Sequence, residues 1–519
     1  MPLTFGLATN LRLRLAAACP SHLSKRPRHD FSFERGPVLK GLATGGSTGS
    51  RQAHHVAVVG SGPAGFYTTK YLFKQAGADH VKIDMYERLP TPYGLVRFGV
   101  APDHPEVKNV TNDFTSIAST PGFRFFGNVA IGSGPGMLSL DVLRKSYDAV
   151  VVCTGAEGER HLGIPGEDLR GVVGAPPFVK WYNGHPDYVE LGPVEPGEAA
   201  VVVGHGNVAI DVARILARAP SELRRTDIDS RAIAKVAEWQ QRGLRTIHLV
   251  GRRGFVQAAF TNAELRELLT FSDEAIAVVD PEELALSRND ASEKELAKSR
   301  MKKRSVDILE KMAANFAHKD TTSKRVIWLR FLASPTQVVG SGGAVSGIRL
   351  ARTRLEGEPG AQSAVEADPG SPGDVVPCGL VVRSVGFGMT PLEGLPSDER
   401  RRVPHVQGRV VEATGSQGGI YVSGWAKRGP TGIIASNIGD AQETAGRLLK
   451  DLAERSSTES LGANVAAAEA ELASTGRRVV SFADWQRLEA EELRRGTAEG
   501  RPAVKFTDIG EMLRSLDAL

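Results

Sequence analysis

Gly60, Gly62 and Gly65 stand in G-x-G-x-x-G spacing directly after the apolar run Val56–Val59. A short, continuous apolar run reads as a strand buried on both faces. The glycines suit a turn that admits a pyrophosphate. Gly60 permits the tight bend, Gly62 lets phosphates approach the backbone, and Gly65 lets helix and strand pack closely. A helical pattern from Ala64 to Leu72 follows, and its N-terminus offers unpaired N–H groups and a positive dipole end. Val81–Tyr86 reads as a second strand, and Glu87 at its end can accept hydrogen bonds from two ribose hydroxyls. The glycines alone would also fit a surface turn. Strand, turn, helix, strand and terminal acid in that order point to a dinucleotide site.

A second cycle begins at Ala199. Ala200–Val203 is a strand, Gly204-His205-Gly206-Asn207 a turn, and Ala209 takes the third glycine's place at the head of a helix to Ala217. The next strand, Thr246–Val250, ends at Gly251-Arg252-Arg253 instead of an acid. A carboxylate there would repel a 2′-phosphate, whereas two guanidinium groups attract it through charge-assisted bonds, so this site reads as NADP rather than NAD. Arg252 follows Ala209 by 43 residues, against the usual spacing of about 20. A helix near 227–241 accounts for the excess.

The elements that position these groups follow from the remaining pattern. Arg88–Lys108, rich in Pro and Gly, reads mostly as loop, and a loop of that length in a compact domain is usually functional. A helix is expected from Glu106 to Ser119, a strand over Phe123–Ile131 and a third buried strand within Ser146–Gly155. Leu162–Glu167 looks like a crossing between domains. Residues 261–330 are mostly helical and charged. Lys298-Ser-Arg300-Met-Lys302-Lys303-Arg304 reads either as a solvated helix face or as a dock for an acidic partner. Gly357–Asp374 is a surface excursion. Gly379–Gly388 resumes a strand and glycine pattern, and Gly419–Ile434 with a helix to Leu452 completes the first domain. Residues 454–477, small and polar, read as a linker, and Val479–Leu519 as a helical appendage.

The 519 residues allow two or three domains, and 41% hydrophobic with 24% charged residues is an ordinary globular composition. The net charge of +4 makes any basic docking surface a local one. Nothing points to nucleic acid, and no apolar run approaches the roughly 20 residues of a membrane span. Cys19, Cys153 and Cys378 are far apart with no C-x-x-C, which argues against a disulfide framework, a redox dithiol or a resident iron–sulfur cluster. No metal site stands out. Residues 1–50 carry Arg12, Arg14, Lys25, Arg26 and Arg28 with no acid before Asp30, and end in a Gly/Ser/Thr-rich stretch. That is the signature of an organellar transit peptide, with a disordered leader as the alternative.

The longest distinctive stretches are Tyr93–Asn109, Gly206–Leu216, Val250–Gly254 and Gly424–Gly432. With two dinucleotide turns, Glu after the first and Arg-Arg after the second, the chain resembles the NADPH:adrenodoxin oxidoreductase family from about His55 onward. The resemblance implies an α/β fold of two Rossmann-like domains, the NADP domain inserted into a discontinuous FAD domain. The expected division is 1–50 leader, 51–158 first FAD part, 159–376 NADP domain, and 377–519 second FAD part with the appendage. It implies FAD contacts at Gly60, Gly62, Ala64, Gly65, Glu87, Leu95 and Ile131, with Trp425, Gly432, Ile433 and Ile434 along the flavin and nicotinamide. NADPH or NADP+ would meet Gly204, His205, Gly206, Asn207, Arg252, Arg253, Glu264 and Gly432. The family's histidine and aspartate near the cofactors match His104 and Asp211, a pair that fits a structural hydrogen bond as well as proton transfer.

Two departures stand out: His205 replaces the family's usual Gln, and the Gln75–His80 loop looks longer. The first bears on pyrophosphate affinity or its pH dependence, the second on partner docking. The implied activity is hydride transfer from NADPH and single-electron delivery to a small acidic 2Fe–2S ferredoxin in a mitochondrial chain, in the matrix or at the inner membrane. Ferredoxin would dock near Arg266, Arg300, Lys302, Lys303 and Arg304. The competing readings are a flavin-dependent NADPH quinone reductase or monooxygenase, and a non-catalytic NADP-binding scaffold.

Overall fold

The computed structural model describes residues 53–192, 194–390, 392–399, 401–411, 419–455 and 464–518. The expected leader, Cys19, residues 456–463 of the expected linker and Leu519 lie outside the described residues.

Two parallel sheets organise the chain. The first has the order His405–Val406, Arg409–Val410, Gly419–Val422, Ala149–Val152, His54–Val59, Val81–Tyr86, Phe123–Phe126. The five longer strands run parallel, and the short hairpin strands at one edge run antiparallel. His54–Val59 is central and shows why its apolar run is continuous. Val56 and Val58 pack into the core on one face, and Ala57 and Val59 into the core on the other. Strands buried on both faces need no polar alternation. The helix Pro63–Ala76 returns the chain from one strand to the next, packing against the late helix Ser436–Glu454.

The second sheet has the order Val172–Gly174, Leu380–Arg383, Ala199–Val203, Thr246–Val250, Arg325–Arg330, Ala275–Val279, all parallel. Its helical face buries Asn207–Ala217, Ala175–Tyr182 and Ser230–Gln241. Its other face is covered by an antiparallel sheet of Ala333–Ser341, Ala344–Glu356, Ser363–Glu366 and Asp374–Pro377. A two-stranded ribbon, Gly158–Glu159 with Phe387–Gly388, is where the chain leaves the first sheet and comes back toward it.

Several expectations change. Leu380–Arg383, assigned to the second FAD part by a boundary at 377, pairs with Ala200–Val203 and Val172–Gly174 in the second sheet. Its four residues are all buried, and an apolar strand does not reveal which sheet it will join. The expected strand to Ile131 stops at Phe126, because Asn128 takes a positive φ of 62°. The Glu106–Ser119 helix is two helices, Pro105–Lys108 and Val110–Ala118. Within the expected 454–477 linker, Val465–Ser474 is a helix that buries Val465, Ala468 and Leu472 against the first sheet. Those three residues pack where the composition had suggested a loop, while Ala466, Ala467, Ala470 and Ala473 face outward.

Candidate active site: two nucleotide turns and a buried ion cluster

The first turn leaves the carboxyl end of His54–Val59. Gly60 takes φ 104°, and a Cβ there would lie 2.8 Å from the Cys153 carbonyl oxygen. A Cβ on Gly65 would fall 2.1 Å from the Gly60 oxygen, while one on Gly62 would meet nothing within 4 Å. The turn is closed underneath and open above Gly62, where the Pro63–Ala76 helix begins with no side-chain cap. Its first N–H groups are therefore free for an anion. Glu87 is held in place: one carboxylate oxygen accepts from Ser61 N–H (3.1 Å) and Ser61 Oγ (2.7 Å), the other from Leu89 N–H (3.1 Å).

The expected neighbours gather here to different degrees. Tyr93 N–H donates to the Ser61 carbonyl, and a Cβ on Gly94 would lie 3.2 Å from Gly62 Cα, so Leu95 starts its short helix beside the turn. Gly424 backs onto Ala64, since a Cβ at 424 would lie 2.4 Å from the Ala64 Cβ. That brings Trp425, whose ring lies 4.9 Å from that of Phe387 at a tilt of 49°, to the same sheet end. Gly432 takes φ 85° ahead of the Ser436–Glu454 helix, Ile433 is 66% exposed and Ile434 packs on the core. Ile131 lies further out, two residues past Val129, whose N–H donates to the Glu87 carbonyl, and it pairs with Leu138.

The second turn repeats the geometry. Gly204 takes φ 136°, with a Cβ position 2.2 Å from the Ser384 oxygen, and Gly206 again faces open space at an uncapped helix start. Asn207 Oδ1 accepts from Thr261 N–H at 2.8 Å, tying the turn to the helix Asn262–Glu267. Arg252 and Arg253 are exposed, and neither guanidinium has an ion-pair partner among the described residues.

His205 does not face the open side. Its ring lies against Gly251 and Phe331, the latter at 4.8 Å, and Nε2 is 3.1 Å from the Leu249 carbonyl oxygen. Burial pushes its pKa down to about 4, with Arg253 adding to the shift. The neutral ring fills the space that Gly251 leaves, so any effect on a pyrophosphate is indirect.

Between the two turns lies a cluster that joins the sheets. Arg214, fully buried on the Asn207–Ala217 helix, contacts Asp103 (2.7 Å), Asp211 (2.9 Å), Glu264 (3.2 Å) and Glu267 (3.1 Å). Arg218 adds a 2.9 Å contact to Asp103. Burial pushes Asp103 up, but Arg214 and Arg218 outweigh it and hold its pKa below the usual range. For Asp211 burial wins over Arg214, raising its pKa to about 7. Glu267, 2.9 Å from His104 Nε2, raises the histidine's pKa, although the contact is too poorly directed for a good hydrogen bond.

His104 and Asp211 come within 4.8 Å of each other and of Glu264, yet no hydrogen bond joins the pair. Asp211 spends its contact on Arg214, and His104 on Glu267. Arg214, Asp103 and Glu267 were not singled out from sequence. The signal was the i, i+3 spacing of Asp211 with Arg214 and of Glu264 with Glu267, which puts each pair on one helix face.

Residues 54–327 match the family model for pyridine nucleotide-disulphide oxidoreductases. The human mitochondrial NADPH:adrenodoxin oxidoreductase is 44% identical over 470 residues, covering 89% of this chain and 91% of that protein. The chain belongs to the NADPH:adrenodoxin oxidoreductase family. The Arabidopsis thaliana mitochondrial member is 40% identical over 478 residues, covering 90% of this chain and 96% of that protein. The solved structure of FprA from Mycobacterium tuberculosis in complex with NADPH superposes with a TM-score of 0.79 at 40% identity, covering 89% and 99% of the two chains. Cys153 and Cys378 are both free and buried, and burial raises each pKa to about 12. As a member of this family the chain therefore has no reactive dithiol among its described residues, despite the broader family's name.

Proposed function

We propose that the protein is an FAD-dependent oxidoreductase that takes hydride from NADPH and passes electrons one at a time to a small acidic 2Fe–2S ferredoxin. The observation that carries this reading is the pair of open, uncapped glycine turns with opposite charges at their flanking strand ends: Glu87 beside the first, Arg252 and Arg253 beside the second. The turns fit their groups. Each leaves space only at its middle glycine, and the donor set above it suits a pyrophosphate. When bound, FAD supplies the conversion between a two-electron donor and a one-electron acceptor.

In this reading the FAD domain comprises 51–158 and the chain after Arg383, and the NADP domain runs from 159 through Leu380–Arg383. Gly60, Gly62, Ala64, Gly65, Glu87 and Leu95 hold FAD, with Trp425 and Gly432–Ile434 over the reacting face and Ile131 at its margin. Gly204–Asn207 cradle the NADP pyrophosphate, and Arg252 and Arg253 clasp the 2′-phosphate. Glu264, bonded to buried Arg214, orients the helix beside that site. Asp211, its pKa raised to about 7 by burial, exchanges a proton near neutral pH, and His104, within 4.8 Å but not bonded to it, passes the proton on once the two close to hydrogen-bond distance or a water bridges them. Arg266 is exposed on a helix that packs against Arg300–Ala314, whose first turn presents exposed Arg300, Lys303 and Arg304. Lys302 is less available, being paired with Glu295 at 2.7 Å. This patch suits an acidic ferredoxin.

No helix among the described residues is long and apolar enough to cross a membrane. The mitochondrial names of its relatives and the basic leader support a mitochondrial address, in the matrix or at the inner-membrane surface. The test is anaerobic: NADPH but not NADH bleaches the flavin, and cytochrome c reduction then depends on added 2Fe–2S ferredoxin. Bleaching without ferredoxin dependence would favour a quinone reductase or monooxygenase. Bound FAD that NADPH cannot reduce would favour a scaffold.

A further inference from the structure

The two nucleotide domains are joined by more than their connecting ribbon. Lys505 lies between the helices Phe482–Glu499 and Ile509–Ala518, with its side chain only 5% exposed. Its ammonium is 2.9 Å from Asp227 and donates to the carbonyls of Asn183 (3.3 Å) and Arg97 (3.4 Å). Arg97 belongs to the short Leu95–Phe98 helix beside the first glycine turn. Asn183 ends the Ala175–Tyr182 helix, and Asp227 precedes Ser230–Gln241; both helices pack on the second sheet.

The bonds around Lys505 run the same way. Glu492 accepts from Arg97 Nη1 (2.9 Å) and from Phe506 N–H (2.8 Å), fixing the tail to the first-turn loop. Arg501 donates to the Ile228 carbonyl and to Ser230 Oγ (2.6 Å), fixing it to the second domain. Asp227 also accepts from Lys108 at 2.6 Å. A buried ammonium is costly unless paired and hydrogen-bonded, and here every bond it makes connects a different element.

We propose that Lys505 is a positioning residue for hydride transfer, setting the spacing of the two nucleotide turns by holding the Arg97 and Asn183 carbonyls to the Asp227 carboxylate. This rests on the activity proposed above. Transfer between two bound nucleotides is sensitive to small displacements, since about 1 Å of misplacement can cost a hundredfold in rate.

The test uses the full-length holoenzyme and Lys505→Met, which keeps most of the aliphatic stem and leaves Asp227 paired with Lys108. At saturating NADPH the anaerobic bleaching rate falls roughly tenfold or more, while FAD content and the Kd for NADP+ stay within about twofold of wild type. Asp227→Asn leaves Lys108 and Lys505 together without their anion and shows the same split, more strongly. An unchanged rate in both variants overturns the proposal, as does a rate loss matched by equal loss of FAD or NADP+ affinity. A second readout needs no turnover. Spin labels at Ser119→Cys and Leu286→Cys, both exposed, on a Cys19→Ser background give an interdomain distance distribution. It broadens in Lys505→Met, or in Lys505→Gln if the methionine variant does not fold; an unchanged width overturns the proposal. Failure of NADPH to bleach the wild-type flavin instead overturns the activity, so the two failures are told apart.

Discussion

The two glycine turns share a backbone and differ in how tightly their surroundings grip it. Around the first, Gly65 sits against Gly60, Gly94 against Gly62 and Gly424 against Ala64, so backbone closes on the turn from three sides. Its acid, Glu87, is fixed by three hydrogen bonds from Ser61 and Leu89. Around the second, Ala209 carries the Cβ that Gly65 lacks, and Arg252 and Arg253 reach into solvent unpaired among the described residues. A preorganised, enclosed site suits a ligand that stays, because ordering is done during folding rather than at binding. Exposed guanidiniums suit a ligand that comes and goes, adding affinity and on-rate through charge. The contrast matches a resident FAD and an exchangeable NADPH.

The strongest way to break this comparison is to exchange the third residues of the two turns. Gly65→Ala places a Cβ 2.1 Å from the Gly60 oxygen, which is backbone and cannot step aside. Overpacking of this kind costs roughly 3 kcal/mol or more, so purified protein should be nearly colourless at 450 nm with a lowered Tm. Ala209→Gly makes the reverse change in the second turn. It should cost only the roughly 1 kcal/mol of a glycine in a helix, with FAD content intact and the KM for NADPH within a few-fold. Equal flavin loss in both variants would end the distinction.

Next in size is removal of the second turn's charge. Each bond from a guanidinium to a phosphate contributes about 1.5–3 kcal/mol. Arg252→Ala with Arg253→Ala should therefore lower kcat/KM for NADPH on the order of a hundredfold or more, while NADH activity changes little. A parallel fall with both nucleotides would mean the arginines hold the loop rather than the 2′-phosphate.

The turns and their flanking charges were legible in the sequence because each rests on neighbours within one strand–turn–helix unit. What brackets the turns was not, because it comes from afar. Glu492 reaches Arg97 across 395 positions, and Arg383 reaches Glu159 and Glu167 from the far end of the inserted domain. Leu380–Arg383 was expected with the second FAD part but pairs in the second sheet, for a related reason: a buried strand carries no face pattern to say which sheet it joins. The His104–Asp211 pair was brought close, but its working partners were missed. Arg214 and Glu267 are ordinary surface-type residues by composition, and burial becomes visible only when the Asp103 loop folds onto their helices.

A milder substitution sharpens the first site. Glu87→Gln keeps an oxygen to accept the Ser61 bonds but loses the charge, and so lowers FAD affinity by about tenfold, measured by the flavin released on dilution. Full retention would mean that the carboxylate serves Ser61 alone.

The smallest expected effect is at His205, and its pH dependence decides what the ring does. Its pKa falls from the ordinary 6.5 to about 4 on folding because burial disfavours the imidazolium. Between those values the unfolded chain binds a proton that the folded chain refuses, so stability is fully present above pH 6.5 and is lost as the pH drops toward 4. His205→Gln removes that proton and should flatten this part of the Tm–pH curve while leaving the Kd for NADP+ between pH 6 and 8 within about twofold, since the ring is already neutral there. A histidine facing the pyrophosphate would behave the opposite way, tightening NADP+ as it gained charge on acidification. An acid-side rise in affinity that vanishes in the glutamine variant would move the ring out from under Gly251 and up to the open side of the turn, making the second site as specialised as the first.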